Sequence, residues 1–416
     1  MLSRSIKYLW PALLFTLPFS RHLILFESLS YRFGQFNPWV TGFLFLPEAL
    51  LILIFTLNLF QKDGRKALQK FLRPSLGLLF FIAFLLNALA VSYFAGQFTL
   101  FAFFALRMME LGMLVFLLHR EIIPLRTTIH WLLYGAVFQL VLGYVQVRLN
   151  HSLGLAFLGE PAIGPDILNV AKTDLPDGAK QIRPYGTFLH PNIFGAYLLA
   201  LLFLSLPYLK KAALPFWLII LTAGIYLSAS QAAQLTAILT FGILILLTFL
   251  KTVSYKKWLS LSLLAILLAG NGALFFRGSA LNSEAPSITQ RLELTDISRS
   301  MFSTQPWGVG TFNFTLEMEN FADRKLNPWE IQPVHNVYFL VLNETGLQGL
   351  LLLLVTIVYL FYQFFHEDHF FNFRRKLRIL PLFALMIIAS FDHLFWTSYI
   401  GTFLVALVIA ETIRKT

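Results

Sequence analysis

Residues 74–106 read PSLGLLFFIAFLLNALAVSYFAGQFTLFAFFAL and contain no charged side chain. A transmembrane helix needs roughly 20 apolar residues to cross a hydrocarbon core of about 30 Å. This run is too long for one crossing, so we predict that it turns back near Gly96-Gln97. A second uncharged run, Ala212 to Leu250, is predicted to turn at Ser228-Ala-Ser-Gln231. Two tight hairpins of membrane-spanning helices therefore set the fold class.

The composition of the whole chain indicates lipid as its main solvent. Of 416 residues, 57% are hydrophobic and 13% are charged, and the mean hydropathy is +0.70. Soluble domains do not reach these values. The chain has no cysteine, which excludes disulfides, thiolate metal sites, iron–sulfur clusters and cysteine nucleophiles. The net charge of +11 indicates basic cytoplasmic loops rather than nucleic-acid binding, because Lys and Arg orient membrane proteins.

Hydropathy predicts an all-α polytopic integral membrane protein with about twelve transmembrane helices. The first apolar stretch follows Arg4 and Lys7 like a signal peptide, but Thr16 to His22 offers no small-residue cleavage site, so we predict an uncleaved span. The predicted spans are 5–26, 38–60, 75–95, 97–118, 127–147, 187–209, 212–229, 232–250, 258–276, 336–361, 379–393 and 395–411.

The basic residues predict the orientation. With the N-terminus inside, the short loops on the cytoplasmic side carry more Lys and Arg than the much longer segments on the other side. Both termini are therefore predicted to be cytoplasmic, in a bacterial inner membrane. Two long periplasmic loops follow from this, and the segments expected are helices 1–5 (1–147), a first loop (148–186), helices 6–9 (187–276), a second loop (277–335) and helices 10–12 (336–416).

Polar residues near the outer face are the candidates for chemistry, since polar groups at membrane depth are costly. Arg183-Pro-Tyr-Gly-Thr-Phe-Leu-His-Pro-Asn192 leads directly into a span. Arg183 suits an anion because a guanidinium presents a fork of donors and stays charged. Asn192 lies among the free N–H groups of the first helical turn. The alternative is that Arg183 marks the headgroup boundary and that His190 is a packed residue.

Two more candidates lie further along the chain. An amphipathic stretch near Ile288 to Phe302 carries Arg291 and Arg299, which can share one face toward an anion, although an interfacial helix binding lipid headgroups would look the same. His335, followed by Asn336, stands at the outer end of a span, where a proton acceptor would serve an incoming hydroxyl. A helix cap or a packed histidine is the alternative there.

Asp392 and His393 lie between the last two spans. The apolar residues between Arg378 and Asp392 give roughly 20 Å of helix, so we predict that both side chains are recessed below the outer surface. By contrast, a buried structural ion pair or triad is predicted for Glu48, Arg107 and Glu110. The sequence shows neither outward histidines at metal-ligand spacing nor a phosphate-binding glycine loop, so neither a metal nor a cofactor is predicted.

Taken in order, these segments resemble the O-antigen ligase and O-antigen polymerase family, bacterial membrane enzymes that act on undecaprenyl-diphosphate-linked glycans at the periplasmic face. The resemblance covers about 183–400, and the N-terminal spans carry no motif. The similar segments are Arg183-Pro-Tyr-Gly-Thr-Phe-Leu-His-Pro-Asn-Ile-Phe-Gly195, Arg291 with Pro306-Trp-Gly-Val-Gly-Thr-Phe-Asn-Phe314, His335-Asn with Glu344-Thr-Gly-Leu-Gln-Gly349, and Phe391-Asp-His393.

The resemblance implies an inverting, metal-independent transfer of a glycan from an undecaprenyl-diphosphate carrier to a lipid or glycan acceptor. Arg183 and Arg291 would hold the diphosphate leaving group, and His335 would act as general base or orient the acceptor hydroxyl. The remaining substrate-binding candidates are His190, Asn192, Gln231, Arg299, Asn336, Asp392 and His393.

The chain departs from the family at one position. Where the family usually has a further arginine, this sequence has Gln231, which can donate a hydrogen bond to phosphate but carries no charge. Either Arg277 or Arg299 takes over this role, or the third phosphate contact is weaker.

The motifs do not separate a ligase from a polymerase or from a protein-glycosylating enzyme, because these differ in the acceptor. The competing class is a transporter, for instance a flippase of lipid-linked saccharides. A transporter would show polar residues through the full depth of the membrane and signs of an internal repeat, whereas here the polar candidates crowd one face. A membrane scaffold without activity leaves the recessed Asp392 and His393 unexplained.

Overall fold

The computed structural model describes residues 2–32, 34–249, 253–277, 286–366 and 376–414. Within these ranges most residues are helical, and the β-structure consists of three two-stranded antiparallel sheets. The prediction of an all-α membrane protein is confirmed in this sense. The helices are α1 (Leu2–Thr16), α2 (Leu46–Leu59), α3 (Lys62–Phe71), α4 (Leu76–Phe94), α5 (Phe98–His119), α6 (Leu125–Leu149), α7 (Pro191–Ser205), α8 (Leu214–Leu227), α9 (Gln231–Phe249), α10 (Val253–Arg277), α11 (Pro286–Thr304), α12 (Phe314–Glu317), α13 (Val337–His366), α14 (Leu380–Ile388), α15 (Leu394–Thr397) and α16 (Tyr399–Ile413).

Six helices in the described ranges are long and apolar enough to cross a membrane, namely α4, α5, α6, α9, α10 and α13. Four shorter helices, α2, α7, α8 and α16, are also apolar. The count of twelve spans and the cytoplasmic position of the termini remain predictions.

Both hairpins lie where the uncharged runs predict them. The first joins α4 to α5 through Gly96, which has a φ of 70° that a glycine adopts without steric cost. The second joins α8 to α9 at residues 228–230, where Ala229 has a φ of 52°. Each uncharged run therefore folds back on itself as a pair of adjacent helices.

The first two predicted spans, 5–26 and 38–60, are wrong at their outer ends. Helix α1 stops at Thr16, two residues before Pro18, and α2 starts only at Leu46. Between them β1 (His22–Phe26) pairs with β4 (Gly42–Phe45), and two further short strands, β2 (Tyr31–Arg32) and β3 (Gln35–Phe36), pair with each other. Hydropathy missed this because a short apolar run gives the same signal in a strand as in a helix.

The two long connections contain some regular structure. The first holds β5 (Lys172–Asp174) paired with β6 (Lys180–Ile182) and a 3-10 turn at Ala156–Leu158. In the second, α11 confirms the predicted helix near 288–302. The predicted span 379–393 is too long, because α14 ends at Ile388.

Helix α7 lies at the centre of the bundle, since every side chain from Phe194 to Ser205 is buried. A helix that is apolar on all sides is expected in such a position. It therefore provides a fixed support for the residues just before it, which include His190.

Contacts between connections gather them at one end of the bundle, which we call the site face. Thr187 donates a hydrogen bond to the Pro18 carbonyl at 2.8 Å, and Tyr399 donates to the Leu17 carbonyl at 3.1 Å. At the opposite face, Arg378 donates to Glu411 at 2.7 Å. The contacts named at the site face are hydrogen bonds to backbone carbonyls, whereas the contact named at the opposite face is an ion pair.

The predicted buried triad is confirmed. Arg107 pairs with Glu48 and also with Glu110, from which it is 3.2 Å distant, and it donates to the Phe43 carbonyl at 2.8 Å. The side chains of the three charged residues are at most 7% exposed. The triad joins α2 to α5 and is best explained as structural.

Candidate functional site

The site face brings together residues from four separate parts of the chain: the segment before α7, helix α11, the segment before α13, and the connection between α14 and α15. The predicted site residues that meet there are Arg183, His190, Asn192, Arg291, His335, Asp392 and His393.

His335, Asp392 and His393 form the centre of the site. One side-chain ligand atom from each lies within 4.8 Å of the other two, and the two imidazole rings are 5.0 Å apart between centroids. Asp392 and His393 are both buried, as the short distance from Arg378 predicts. Their positions are fixed locally: Asp392 accepts a hydrogen bond from the Leu394 N–H at 3.1 Å, and His393 Nδ1 lies 2.8 Å from the Thr397 hydroxyl.

His335 is held in place by its neighbour Asn336. The Asn336 amide donates to the Ser390 carbonyl at 3.0 Å, and its oxygen accepts from the Phe339 N–H at 3.2 Å. Asn336 therefore fixes the start of α13 against the end of α14, rather than facing a substrate. His335 Nδ1 is buried without a hydrogen-bond partner in the described part of the chain, which leaves it available to a bound hydroxyl.

The two predicted arginines approach the centre from different sides. Arg291 donates to the Phe391 carbonyl, directly before Asp392, at 3.2 Å. Arg183 donates through Nε and Nη2 to the Ser228 carbonyl, at 3.0 and 2.8 Å, and through Nη2 to the Asn192 side chain at 2.9 Å. Burial lowers the pKa of Arg183, and the positive charge of Arg291 lowers it further, while Tyr185 opposes the shift. An anion between the guanidinium groups would relieve their repulsion.

His190 caps α7. Its Nδ1 accepts a hydrogen bond from the Asn192 N–H at 3.1 Å, so a neutral His190 carries its proton on Nε2 and can donate it to an anion. Burial, followed by the charge of Arg183, lowers the pKa of His190 to about 4, although Asp392 opposes this. The imidazole is therefore neutral at physiological pH.

The charge state of His335 follows from similar causes. Burial lowers the pKa of His335 to about 3, and the neighbouring His393 and Arg291 add to the shift, while Asp392 opposes it. A neutral imidazole retains a lone pair. His335 is therefore unprotonated across the whole physiological pH range.

Three predicted residues lie away from this centre or outside the described side chains. Arg299 pairs with Asp296 at 2.8 Å and donates to the Phe276 carbonyl, because eight residues on a helix leave it about 80° away from Arg291. Gln231 is exposed at the start of α9, beyond the Ser228 turn that Arg183 contacts. The side chain of Arg277 is not among those that the structure describes.

Sequence reasoning missed Trp39. Its indole ring meets the His393 ring edge-on, with centroids 4.9 Å apart and planes at 88°. Trp39 lies inside the predicted span 38–60, where an aromatic residue gives no sign of a functional site. The preceding Asn37-Pro38 pair was an available signal, because asparagine before proline is typical of a helical start.

An apolar cavity of about 220 Å³ adjoins the site. Val337, two residues after His335, lines it, as do Ala389 and Trp396 on either side of Asp392 and His393. The rest of its wall comes from α4, α5, α13, α14, α15 and α16. A lipid tail can therefore lie beside the polar centre without crossing it.

The central residues also have the chemistry of a metal-ligand set, since two imidazoles and a carboxylate suit a divalent cation. The sequence predicted no metal because the three residues become neighbours only in the fold. Arg291, which lies against the same centre, opposes a second positive charge there. One Asp392 oxygen and His393 Nδ1 are also already engaged.

Residues 216–354 match the family model described as O-antigen ligase. The matched range includes Arg291, His335 and the segment Glu344 to Gly349. No curated protein matches the chain. The family resemblance inferred from the motifs is confirmed over the matched residues.

Proposed function

We propose that the protein transfers a glycan from an undecaprenyl-diphosphate carrier to an acceptor hydroxyl, with inversion and without a metal, and the match of residues 216–354 to the family model described as O-antigen ligase supports this. The observation that carries this proposal is the meeting of Arg183 and Arg291 with a neutral His335 in one partly buried site. The residues come from distant parts of the sequence, and simple packing does not require that combination.

The reaction follows from the roles of these side chains. The acceptor oxygen forms a bond to the anomeric carbon from the side opposite the diphosphate, and the bond from that carbon to the phosphate oxygen breaks. The electron pair leaves with the diphosphate, where Arg183 and Arg291 neutralise the developing charge. The acceptor proton passes to His335. Removal of one preorganised charge donor typically lowers the rate about 10²–10³-fold.

The apolar cavity supports a lipid-borne donor. Its lining is almost entirely aliphatic and aromatic and begins next to the polar centre, which suits an isoprenoid chain whose diphosphate lies at the arginines. A soluble nucleotide sugar would have no use for such a cavity.

We further propose that the site face is periplasmic. Two arginines lie near each other at the opposite face: Arg414 contacts Glu121 and Tyr208, and Arg378 contacts Glu411. Basic residues accumulate on the cytoplasmic side of inner-membrane proteins. This orientation places the reaction where undecaprenyl-linked glycans are used.

The direct test is transfer by the purified protein in lipid nanodiscs, with an undecaprenyl-diphosphate-linked oligosaccharide and either lipid A core or a second lipid-linked glycan as acceptor. We expect undecaprenyl diphosphate and an inverted product in the presence of a chelator. The acceptor that reacts distinguishes ligase from polymerase.

Arg291→Ala and His335→Ala should each lose most of the activity, about 10²-fold or more. Arg148→Ala, an exposed arginine near the end of α6, is the matched control and should react as the wild type does. A strict requirement for divalent metal would contradict the mechanism. Translocation of the donor across liposomes without any product would favour the transporter instead.

A further inference from the structure

Trp39 reaches the site from outside the matched family domain. It lies in a 3-10 turn, Pro38–Val40, which Asn37 caps by accepting a hydrogen bond from the Trp39 N–H at 3.0 Å. The Asn37 amide also donates to the Thr315 hydroxyl at 3.1 Å. These two hydrogen bonds of Asn37 tie the turn to the second long connection. They fix the position of the backbone that carries Trp39.

The side chain of Trp39 differs from those of the buried tryptophans. Trp10 and Trp396 are buried, and their indole N–H groups donate to Thr128 and Glu344, respectively. Trp39 is only half-buried, and within the described part of the chain its indole N–H has no hydrogen-bond partner. The Trp39 and His393 rings meet edge-to-face, and part of the Trp39 side chain remains accessible from outside.

A partly exposed indole beside a polar centre suits a sugar. The C–H groups on one face of a pyranose pack against an aromatic ring, whose face is electronegative, and the indole N–H can donate to a hydroxyl. Binding sites for such ligands combine an aromatic surface with a few polar groups. Trp39 together with His393 and His335 forms this kind of surface, with successive ring centroids 4.9 and 5.0 Å apart.

We propose that Trp39 forms the binding surface for the acceptor sugar, an inference that rests on the proposed glycosyl transfer. The diphosphate of the donor belongs with Arg183 and Arg291, whereas the acceptor hydroxyl must lie at His335. Trp39 extends the row of rings from His335 through His393. The sugar that carries the hydroxyl therefore stacks on Trp39, and the N-terminal part of the chain contributes to acceptor selection.

The test compares Trp39→Ala, Trp39→Leu and Trp39→Phe with the wild type in the transfer assay, measuring KM for the acceptor and for the donor separately. Trp39→Ala and Trp39→Leu should raise the acceptor KM roughly 3- to 10-fold, the range expected for one lost aromatic contact. Their donor KM should stay within about twofold, and Trp39→Phe should recover most of the acceptor affinity. Leucine keeps the apolar volume, so it tests for the aromatic ring even if alanine destabilises the fold.

Trp307→Ala is the matched control, because Trp307 lies in another connection and its side chain is 76% exposed. It should leave both KM values unchanged. A rise in donor KM with Trp39→Leu would overturn the assignment to the acceptor. A fall in kcat with both KM values unchanged would show that Trp39 only positions His393. Wild-type turnover in the same assay separates these outcomes from a failure of the proposed function.

Discussion

At the scale of single residues, the charge state of His335 decides how the site responds to pH. Its pKa is lowered to about 3 by burial first and then by the neighbouring His393 and Arg291. The neutral form of a base is lost by protonation as the pH falls through the pKa that the group has in the folded state. The neutral form of His335, which the proposed mechanism requires, therefore persists far below the ordinary histidine value of about 6.5.

We predict that kcat/KM changes less than about twofold between pH 7.5 and pH 5.5, whereas a base with an ordinary histidine pKa would lose about tenfold. The measurement is initial-rate transfer at several pH values with saturating lipid carrier. An acid limb centred near pH 6.5 would contradict a buried, neutral His335.

The same scale shows what residue patterns could and could not reveal. Arg183, Arg291 and His335 were found because charged or titratable residues are rare near apolar spans and because their order resembled a family. Trp39 was missed, because an aromatic residue does not stand out within an apolar run as a charged residue does. Arg299 shows the opposite error. Its charge made it a candidate for the site, but its side chain pairs with Asp296, three residues earlier on the same helix.

At the scale of secondary-structure elements, α13 contains a break at Gly346, which has φ 74° and ψ 178°. This conformation is essentially restricted to glycine. A Cβ at this position would lie 2.4 Å from the Trp307 carbonyl oxygen. The break lets the loop before α12 pack against α13, where Glu344 accepts hydrogen bonds from the Phe312 N–H and the Trp396 indole.

Gly346→Ala should therefore lower the free energy of unfolding by about 1–3 kcal/mol through backbone strain, with a further loss from the clash. The measurement is thermal or SDS-induced unfolding in detergent. Gly112→Ala is the control, because Gly112 lies within α5 and a Cβ there meets no atom within 4 Å. Equal stability of the two variants would refute the strain argument.

The buried ion pair at the opposite face supports a second prediction about elements. Arg378 and Glu411 join the start of α14 to the end of α16, with side chains at most 7% exposed. Glu411→Ala leaves the guanidinium buried without a counter-charge and should cost about 3–5 kcal/mol of stability. Unfolding measurements should show little change for Glu293→Ala, which breaks a largely exposed pair with Arg324. Similar losses in both would argue against a special role for the buried pair.

At the scale of the whole molecule, helical hairpins were predictable because length and hydropathy alone decide how often an uncharged run must turn. The strand pair His22–Phe26 and Gly42–Phe45 was not, because its apolar residues read as extensions of α1 and α2. The sequence alone also could not predict which of the site residues would lie next to one another. Arg291 and Asp392 become neighbours only after α13 and α14 have packed.

The apolar cavity gives a prediction at the same scale. Lipid tails gain little from leaving the bilayer for another apolar environment, so the cavity should act by holding the chain in position rather than by burying it. Leu385→Trp fills part of the cavity. An undecaprenyl donor is expected to have a lower KM than a short isoprenoid analogue, and this substitution should reduce the ratio between the two KM values at least about fivefold. The readout is the ratio of the two donor KM values.

Leu86→Trp provides the comparison, since Leu86 is 60% exposed on α4 and does not line the cavity. Its KM ratio should match that of the wild type. If both substitutions change the ratio equally, the cavity is not the site of the lipid chain.

Asp392 and His393 are synthesised after the other residues of the site, and this has a consequence for the order in which the site forms. A nascent chain inserted only as far as α13 already contains both arginines and His335, but it lacks the carboxylate and the second imidazole beside them. The cluster of two imidazoles and a carboxylate can therefore assemble only after translation has passed α14, however well the preceding helices have already packed.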